Sequence, residues 1–292
     1  MSRRGWLLFA AMCVIWGIPY LLIRVAVRDF PPATMVCART VPAALLLLPW
    51  ALYRGAFRGL MSAWVPLVVY TGVEVALPWL LLGEAETKLP SSLTGLLVAV
   101  VPLVGAVYGY VLHTEDRLDV RRFVGLLIGL AGVAALVGVD VNGANIGAAA
   151  AVFVVAICYA TGPLIITHKL AHLPSLGVVT VSIALTAVAY LPYAATHWPD
   201  HVGAKPALSV LALAFVCTAA AFLIFFALIS EVGPSRAVVI TYVNPVVAIA
   251  LGVLLLSEPL TLGLAIGAPL VLVGCVLATA PSRAVRDTPV NA

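Results

Sequence analysis

The sequence predicts an all-α integral membrane protein of ten transmembrane helices, laid out as two inverted five-helix repeats. Three observations predict this: a composition too apolar for water, ten apolar runs of spanning length, and a stretch of sequence that returns at one fixed offset. Of the 292 residues, 63% are apolar and 10% are charged, and the mean hydropathy is +1.15. A soluble domain carries about 25% charged residues, so this chain could not solvate its own surface. The net charge of +4 is therefore no argument for a nucleic-acid partner. The expected surroundings are a lipid bilayer.

The spans are expected near 6–27, 33–53, 64–83, 91–112, 122–139, 146–166, 176–195, 207–230, 236–256 and 262–280, because a helix crossing the hydrocarbon core needs about 20 apolar residues. The first run follows Arg3 and Arg4 but outlasts the apolar core of a signal peptide, so it reads as a retained helix. The longest connection, Thr196 to Pro206, is too short for a soluble domain. Whatever the protein does, it does within the bundle. Cys13, Cys37, Cys158, Cys217 and Cys275 each sit inside an apolar run. They have no metal or redox spacing and read as small packing residues.

Cytoplasmic loops are enriched in Lys and Arg. With the N-terminus inside, the inner segments hold Arg3, Arg4, Arg54, Arg58, Arg117, Arg121, Arg122, Lys169, Arg236, Arg283 and Arg286, against Arg28, Lys88 and Lys205 outside. Arg24 and Arg39 fall within spans. That asymmetry predicts a multi-pass protein of the cell membrane with both termini cytoplasmic.

The repeat pairs Ser92 with Ser235, Val100 with Val243, Pro102 with Pro245, Val104 with Val247, Gly109 with Gly252, Leu112 with Leu255 and Glu115 with Glu258, without a gap. Chance matches among Val and Leu are cheap, whereas Pro, Gly and Glu matches at a shared offset are not. The units are expected at 1–140 and 146–281, followed by a short cytoplasmic tail, 282–292. Five spans per unit is an odd number, so the second unit enters the membrane upside down. That is the build of many secondary transporters, whose substrate sites lie near the midplane between the halves.

The order of short signals resembles the EamA-type branch of the drug/metabolite transporter superfamily, over essentially the whole chain. In the first half these are Trp16-Gly17-Ile18-Pro19-Tyr20, Ala38-Arg39, and Ser91-Ser92-Leu93 through Pro102 to Glu115. In the second they are Glu231-Val232-Gly233-Pro234-Ser235-Arg236-Ala237, Tyr242-Val243-Asn244-Pro245-Val246 and Ser257-Glu258-Pro259-Leu260-Thr261. Thr114 stands where the family usually has Gly before the Glu, and Glu74 is not a family feature. The resemblance implies a central cavity formed by spans one to four and six to nine, with spans five and ten peripheral. It also implies transport of metabolites, amino acids or drugs.

Ionisable residues within spans are costly and are functional candidates by default. Glu74 lies near the middle of the third span and Arg39 in the second, at depths about 5 Å apart for a helical rise of about 1.5 Å per residue. Glu74 could hold a cationic group or carry a coupling proton, or the two residues could form a permanent pair. Arg24, near the end of the first span, can snorkel to the interface. Pro102 and Pro245 each remove a backbone donor, and matched interruptions of two halves mark a midplane site. Asn244 adds two donors and an acceptor beside Pro245. Trp16, Tyr20, Trp79, Tyr108, Tyr159 and Tyr242 could line a cavity. Trp6, Trp50, Trp64 and Trp198 fall near span ends, as interfacial anchors do.

The predicted substrate site is thus Trp16, Tyr20, Arg39, Glu74, Tyr108, Tyr159, Tyr242 and Asn244, with a small-molecule substrate, the proton as a candidate coupling ion, and no cofactor. The Gly pairs at 105/109, 125/129 and 263/267 suit close helix contact, within a monomer or across a homodimer. Glu115 and Glu258 read as braces for the loops after their spans. The pairs His168/His172 and His197/His201 have the spacing of metal ligands but fall on opposite sides of the membrane. No nucleotide-binding Gly-rich loop is present, so the reading is a secondary carrier acting as an exporter. The alternatives are a drug-efflux carrier and an intramembrane lipid-modifying enzyme. The enzyme would need a cluster of His, Asp, Glu or Ser at one depth, and Glu74 has no such company.

Overall fold

The structure is a computed structural model and describes residues 2–111, 120–141, 143–233, 237 and 239–279. The described residues form helices α1 (Arg3–Ala26), α2 (Pro32–Tyr53), α3 (Leu60–Glu86), α4 (Ser91–Val111), α5 (Val120–Asp140), α6 (Gly143–Leu170), α7 (Ser175–Thr196), α8 (Ala204–Val232), α9 (Ile240–Leu256) and α10 (Leu262–Ala278). The first eight are long and apolar enough to cross a membrane, and α9 and α10 are shorter apolar helices of 17 residues each. Their positions follow the apolar runs closely. All five cysteines are buried and free.

Each helix of the first half packs on one of the second: α1 on α8, α2 on α7, α3 on α6, α4 on α9 and α5 on α10. The α5–α10 contact is the most extensive and is made backbone to backbone. A Cβ on Gly125 would overlap the amide of Ala278, and one on Gly274 would overlap Gly129. Gly267 lies against Leu136 and Gly132, and Gly263 against the Asp140 carboxylate. Between helices in lipid the drive is close packing rather than the hydrophobic effect, which is why small residues line such seams. The Gly125/Gly129 and Gly263/Gly267 pairs thus serve a seam inside one chain. Gly105 has nothing near its face.

The helices depart from regularity at defined places. α1 breaks after Ile15 and resumes at Pro19. There Gly17 N donates to Val14 O instead of to Cys13 O, and Val247 of α9 lies so close that no side chain fits on Gly17. α4 breaks at Ala99 and Val100, just before Pro102, and the Cys275 thiol of α10 donates to the freed Ala99 carbonyl over 3.1 Å. α9 runs through Pro245 without a break. The two matched prolines therefore do not interrupt their helices alike, contrary to the expectation from the repeat.

α3 and α8 each contain a wide π turn, over Thr71–Ala76 and Phe215–Ala220. In α3, Pro78 has no N–H to return to the Glu74 carbonyl, and Tyr190 of α7 donates to Ala76 O over 3.0 Å. In α8 the Thr218 hydroxyl donates to Leu213 O, five residues back, over 2.8 Å. Such turns are rare and concentrate at functional sites.

The alternation of helices gathers one set of ends together, including Glu258, and polar ties cross it. Glu258 Oε1 accepts from Ser91 N at 2.8 Å and Ser91 Oγ at 2.9 Å, and its Oε2 accepts from Ser92 N at 2.9 Å. A carboxylate at a helix N-terminus satisfies orphan amides and complements the dipole. Glu258 therefore caps α4, whereas the sequence suggested a cap or brace for the loop after its own span. Its matched partner, Glu115, lies outside the described residues. Asp29 accepts from Gly203 N at 2.7 Å, and Asp140 from Thr261 Oγ1 at 2.6 Å. At the opposite end Ser2 Oγ donates to Glu231.

Candidate functional site

Arg39 and Glu74 both point into the core shared by α2, α3, α6 and α8. Arg39 is buried. Its Nε donates to Thr218 Oγ1 over 2.9 Å, and its guanidinium carbon lies 3.6 Å from the centre of the Trp79 ring. A desolvated guanidinium over an indole face gains about 2 kcal/mol from the ring quadrupole. The π turn of α8 sets this up, because it turns the Thr218 hydroxyl, already bonded to its own helix, towards α2. The hydroxyl oxygen still has lone pairs for Arg39.

Glu74 sits inside the π turn of α3. Its residue is only partly buried, yet its Oε2 is buried without a hydrogen-bond partner. The carboxylate faces Gly162 of α6, and a Cβ at that position would overlap it. Gly162 is what makes room for the acid. Beneath it, the Thr71 hydroxyl donates to Leu67 O over 2.8 Å and meets the Ser182 hydroxyl of α7 at 3.0 Å, which pins the π turn. No ion pair within 4 Å joins Arg39 to Glu74. The permanent pair that the sequence left open is not formed.

Tyr159 of α6 links the two charges. Its hydroxyl lies within electrostatic reach of Glu74 and Arg39. Tyr20 of α1 is near Tyr159 in turn and packs over Gly95 of α4. Four of the eight predicted residues, Arg39, Glu74, Tyr159 and Tyr20, are thus brought to one region.

The other four serve helix contacts. Trp16 packs against Phe225 at 4.6 Å with the rings tilted, and lies edge-on to Phe222 at 6.3 Å, both from α8. Asn244, with its amide nitrogen turned to its acceptors, donates to Ile240 O at 2.9 Å and to Cys13 O at 3.1 Å. The second is the carbonyl freed by the break in α1. Tyr108 meets Thr161 at 3.3 Å, and Tyr242 bonds Thr279.

Sequence reading gave Thr218, Gly162 and Glu86 no weight. Thr218 and Gly162 carry no signal on their own, since neither a hydroxyl in a span nor a glycine announces its partner. Glu86 had one. Leu82, Ala85, Glu86 and Leu89 follow helical spacing, and all four are buried. Arg24 does not snorkel outward: it turns inward and donates to the backbone carbonyl of Glu86.

These features define a class: a multi-pass helical membrane protein with two opposite charges in its core that are not paired with each other. Comparison with known proteins narrows it. The model of the EamA-like transporter family matches residues 3–138 and again 146–280, and the chain belongs to that family. It is a membrane transporter. It is 31% identical over 261 residues to the uncharacterized inner membrane transporter YedA of Escherichia coli, covering 86% of this chain and 82% of that one. It is 26% identical over 292 residues to the uncharacterized transporter YvbV of Bacillus subtilis, covering 97% and 94%. A protein of Salmonella typhimurium described as a probable amino-acid metabolite efflux pump is 23% identical over 291 residues, covering 94% of each chain. A solved structure at 21% identity superposes with a TM-score of 0.68 over 95% of this chain and 98% of the other, a likeness of fold.

Proposed function

We propose that the chain is a secondary exporter of small zwitterionic metabolites, amino acids foremost, working by alternating access around a central site between two inverted halves. The observation that carries this is the pair Arg39 and Glu74. Two groups of opposite sign share one core and are not paired with each other, and the acid keeps a buried oxygen unsatisfied. A buried charge without a partner is costly, so a protein that keeps two of them apart has a use for both. A zwitterion with its carboxylate towards Arg39 and its ammonium group towards Glu74 would neutralise the two at once. Tyr159 and Trp79 would bound the space between.

The carrier architecture has its own support. The helix pairing is unchanged when the halves are exchanged: α1–α8 becomes α6–α3, while α2–α7, α4–α9 and α5–α10 map onto themselves. The π turns of α3 and α8 start 144 positions apart, from Thr71 to Phe215, one position off the repeat offset read from the sequence. Both are what two inverted units at 1–140 and 146–281, each of five spans, would produce. The distribution of Lys and Arg orients the bundle with both termini in the cytoplasm and the Glu258 end outside. A relative described as an amino-acid metabolite efflux pump agrees with the substrate class.

The test is metabolite profiling of the medium around cells that overproduce the parent protein or Glu74→Gln. Amino acids or related zwitterions should accumulate outside with the parent and fall to the empty-vector level with the variant. Equal accumulation with both would remove Glu74 from the mechanism. No change in any solute would sink the exporter reading.

A further inference from the structure

The site above leaves one buried acid unused. Glu86 ends α3 at the Glu258 end of the bundle. It is 0% exposed, and neither of its carboxyl oxygens has a hydrogen-bond partner. Arg24 of α1 is the nearest cation, yet its guanidinium donates to the backbone carbonyl of Glu86 and not to the carboxyl group. The other groups near this corner are Tyr20 of α1 and Glu258 beyond α9, whose carboxylate is held by the Ser91 hydroxyl and the Ser91 and Ser92 amides. On the same stretch of α3, Pro32 and Met35 of α2 lie against Gly83. Glu84 and Lys88, on either side of Glu86 in sequence, are exposed.

An ionised carboxylate in this position would have no hydrogen-bonded donor and a second carboxylate close by, a costly arrangement for a charge that Arg24 only partly offsets. A neutral carboxyl group fits it. Arg24 is poised differently: it needs only to move from the carbonyl to the carboxyl of the same residue to become a counter-ion. We infer that Glu86 is a proton-binding site, loaded while the Glu258 end is sealed and exchanging its proton for an ion pair with Arg24 when that end opens. In the exchange the carboxyl O–H bond breaks and the proton passes to water admitted by the opening. Arg24 gives up one hydrogen bond and gains a charge-assisted one. The opening step rests on the alternating-access reading; the loaded proton does not.

The test uses the full-length protein in lipid nanodiscs, where both faces are open to buffer. Infrared spectra at neutral pH of a protein carrying Glu74→Gln should show a protonated-carboxyl stretch that is lost when Glu86→Gln is added. In Arg24→Gln the band should persist to more alkaline pH than in the parent. A Glu86→Gln protein with the parent's unfolding temperature and an unchanged band would overturn the assignment. Should Glu86→Gln not fold, the band should shift in Glu86→Asp, and an unmoved band is equally fatal.

The opening is read from the buried neighbour Leu89. Labelling of Leu89→Cys by a polar thiol reagent, divided by that of the exposed Lys88→Cys, should rise several-fold from mildly acidic to mildly alkaline pH. In Glu86→Gln the ratio should stay low and flat. A flat ratio with Glu86 in place would refute the gate while sparing the proton. Neither readout depends on a solute being exported, so failure of the exporter reading would be seen separately.

Discussion

The π turns of α3 and α8 use one backbone device for opposite ends. In α8 the widened turn directs a hydroxyl that satisfies its own helix and then steadies Arg39. In α3 it presents an acid oxygen to the core and leaves it unsatisfied. A base held by its surroundings thus faces an acid held by nothing but the space that Gly162 vacates. The difference teaches where stability and activity part company. The α8 turn fixes a geometry, whereas the α3 turn keeps a cost that only a ligand or a proton can relieve.

The comparison breaks most sharply at Glu74. Glu74→Gln should lower export roughly tenfold or more, as expected when an interaction made during turnover is lost, while raising the unfolding temperature in detergent. A fall in both would make Glu74 a structural residue. Gly162→Ala attacks the same contact from α6 and should cost about 3 kcal/mol, in the range of overpacked cores, measured by thermal unfolding. Combined with Glu74→Ala the cost should largely vanish, because the overlap is with the side chain. Additive losses would mean that Gly162 serves another purpose.

Thr218→Val removes the hydroxyl that Arg39 uses and should cost about 2 kcal/mol, the scale for a buried hydrogen bond to a charged group. Its stability loss beside the gain in Glu74→Gln is the comparison in one pair of melts. Smallest is Glu258→Gln, about 1 kcal/mol at neutral pH for a weakened cap. Burial pushes the Glu258 carboxyl up, but the hydrogen bonds from Ser92 and Ser91 outweigh it and hold the group below the ordinary carboxylate value. Its stabilisation is therefore complete above that ordinary value and fades as pH falls through the lowered one. The parent should lose stability across that acidic window more steeply than Glu258→Gln.

Much of the fold was legible because hydropathy and length leave a spanning helix few alternatives. The apolar runs match the helices within a few residues, and the third span fell short only at its ends. There Glu84, Glu86 and Lys88 look like a solvated loop, although the helix continues and buries Glu86 on its inner face. The Arg39–Glu74 neighbourhood was legible because buried charges are few. What surrounds them was not. What the sequence could not show is the Cys275 thiol of α10 on the Ala99 carbonyl at the break in α4, or the Asn244 amide on the Cys13 carbonyl of α1. Those are contacts between distant parts of the chain. The π turns likewise arise from Thr218, Pro78 and Tyr190 acting together, and none of these announces a wide turn alone.

The glycine seam between α5 and α10 has a thermal consequence. Its attraction comes largely from dispersion between closely packed backbones in lipid, with few side-chain rotamers to freeze and no water to release. Hydrophobic association in water carries a large heat-capacity change and weakens on cooling. A contact with neither ingredient should hold with nearly constant strength across the growth range, and the two halves of the chain should be no more loosely joined in the cold than in the heat.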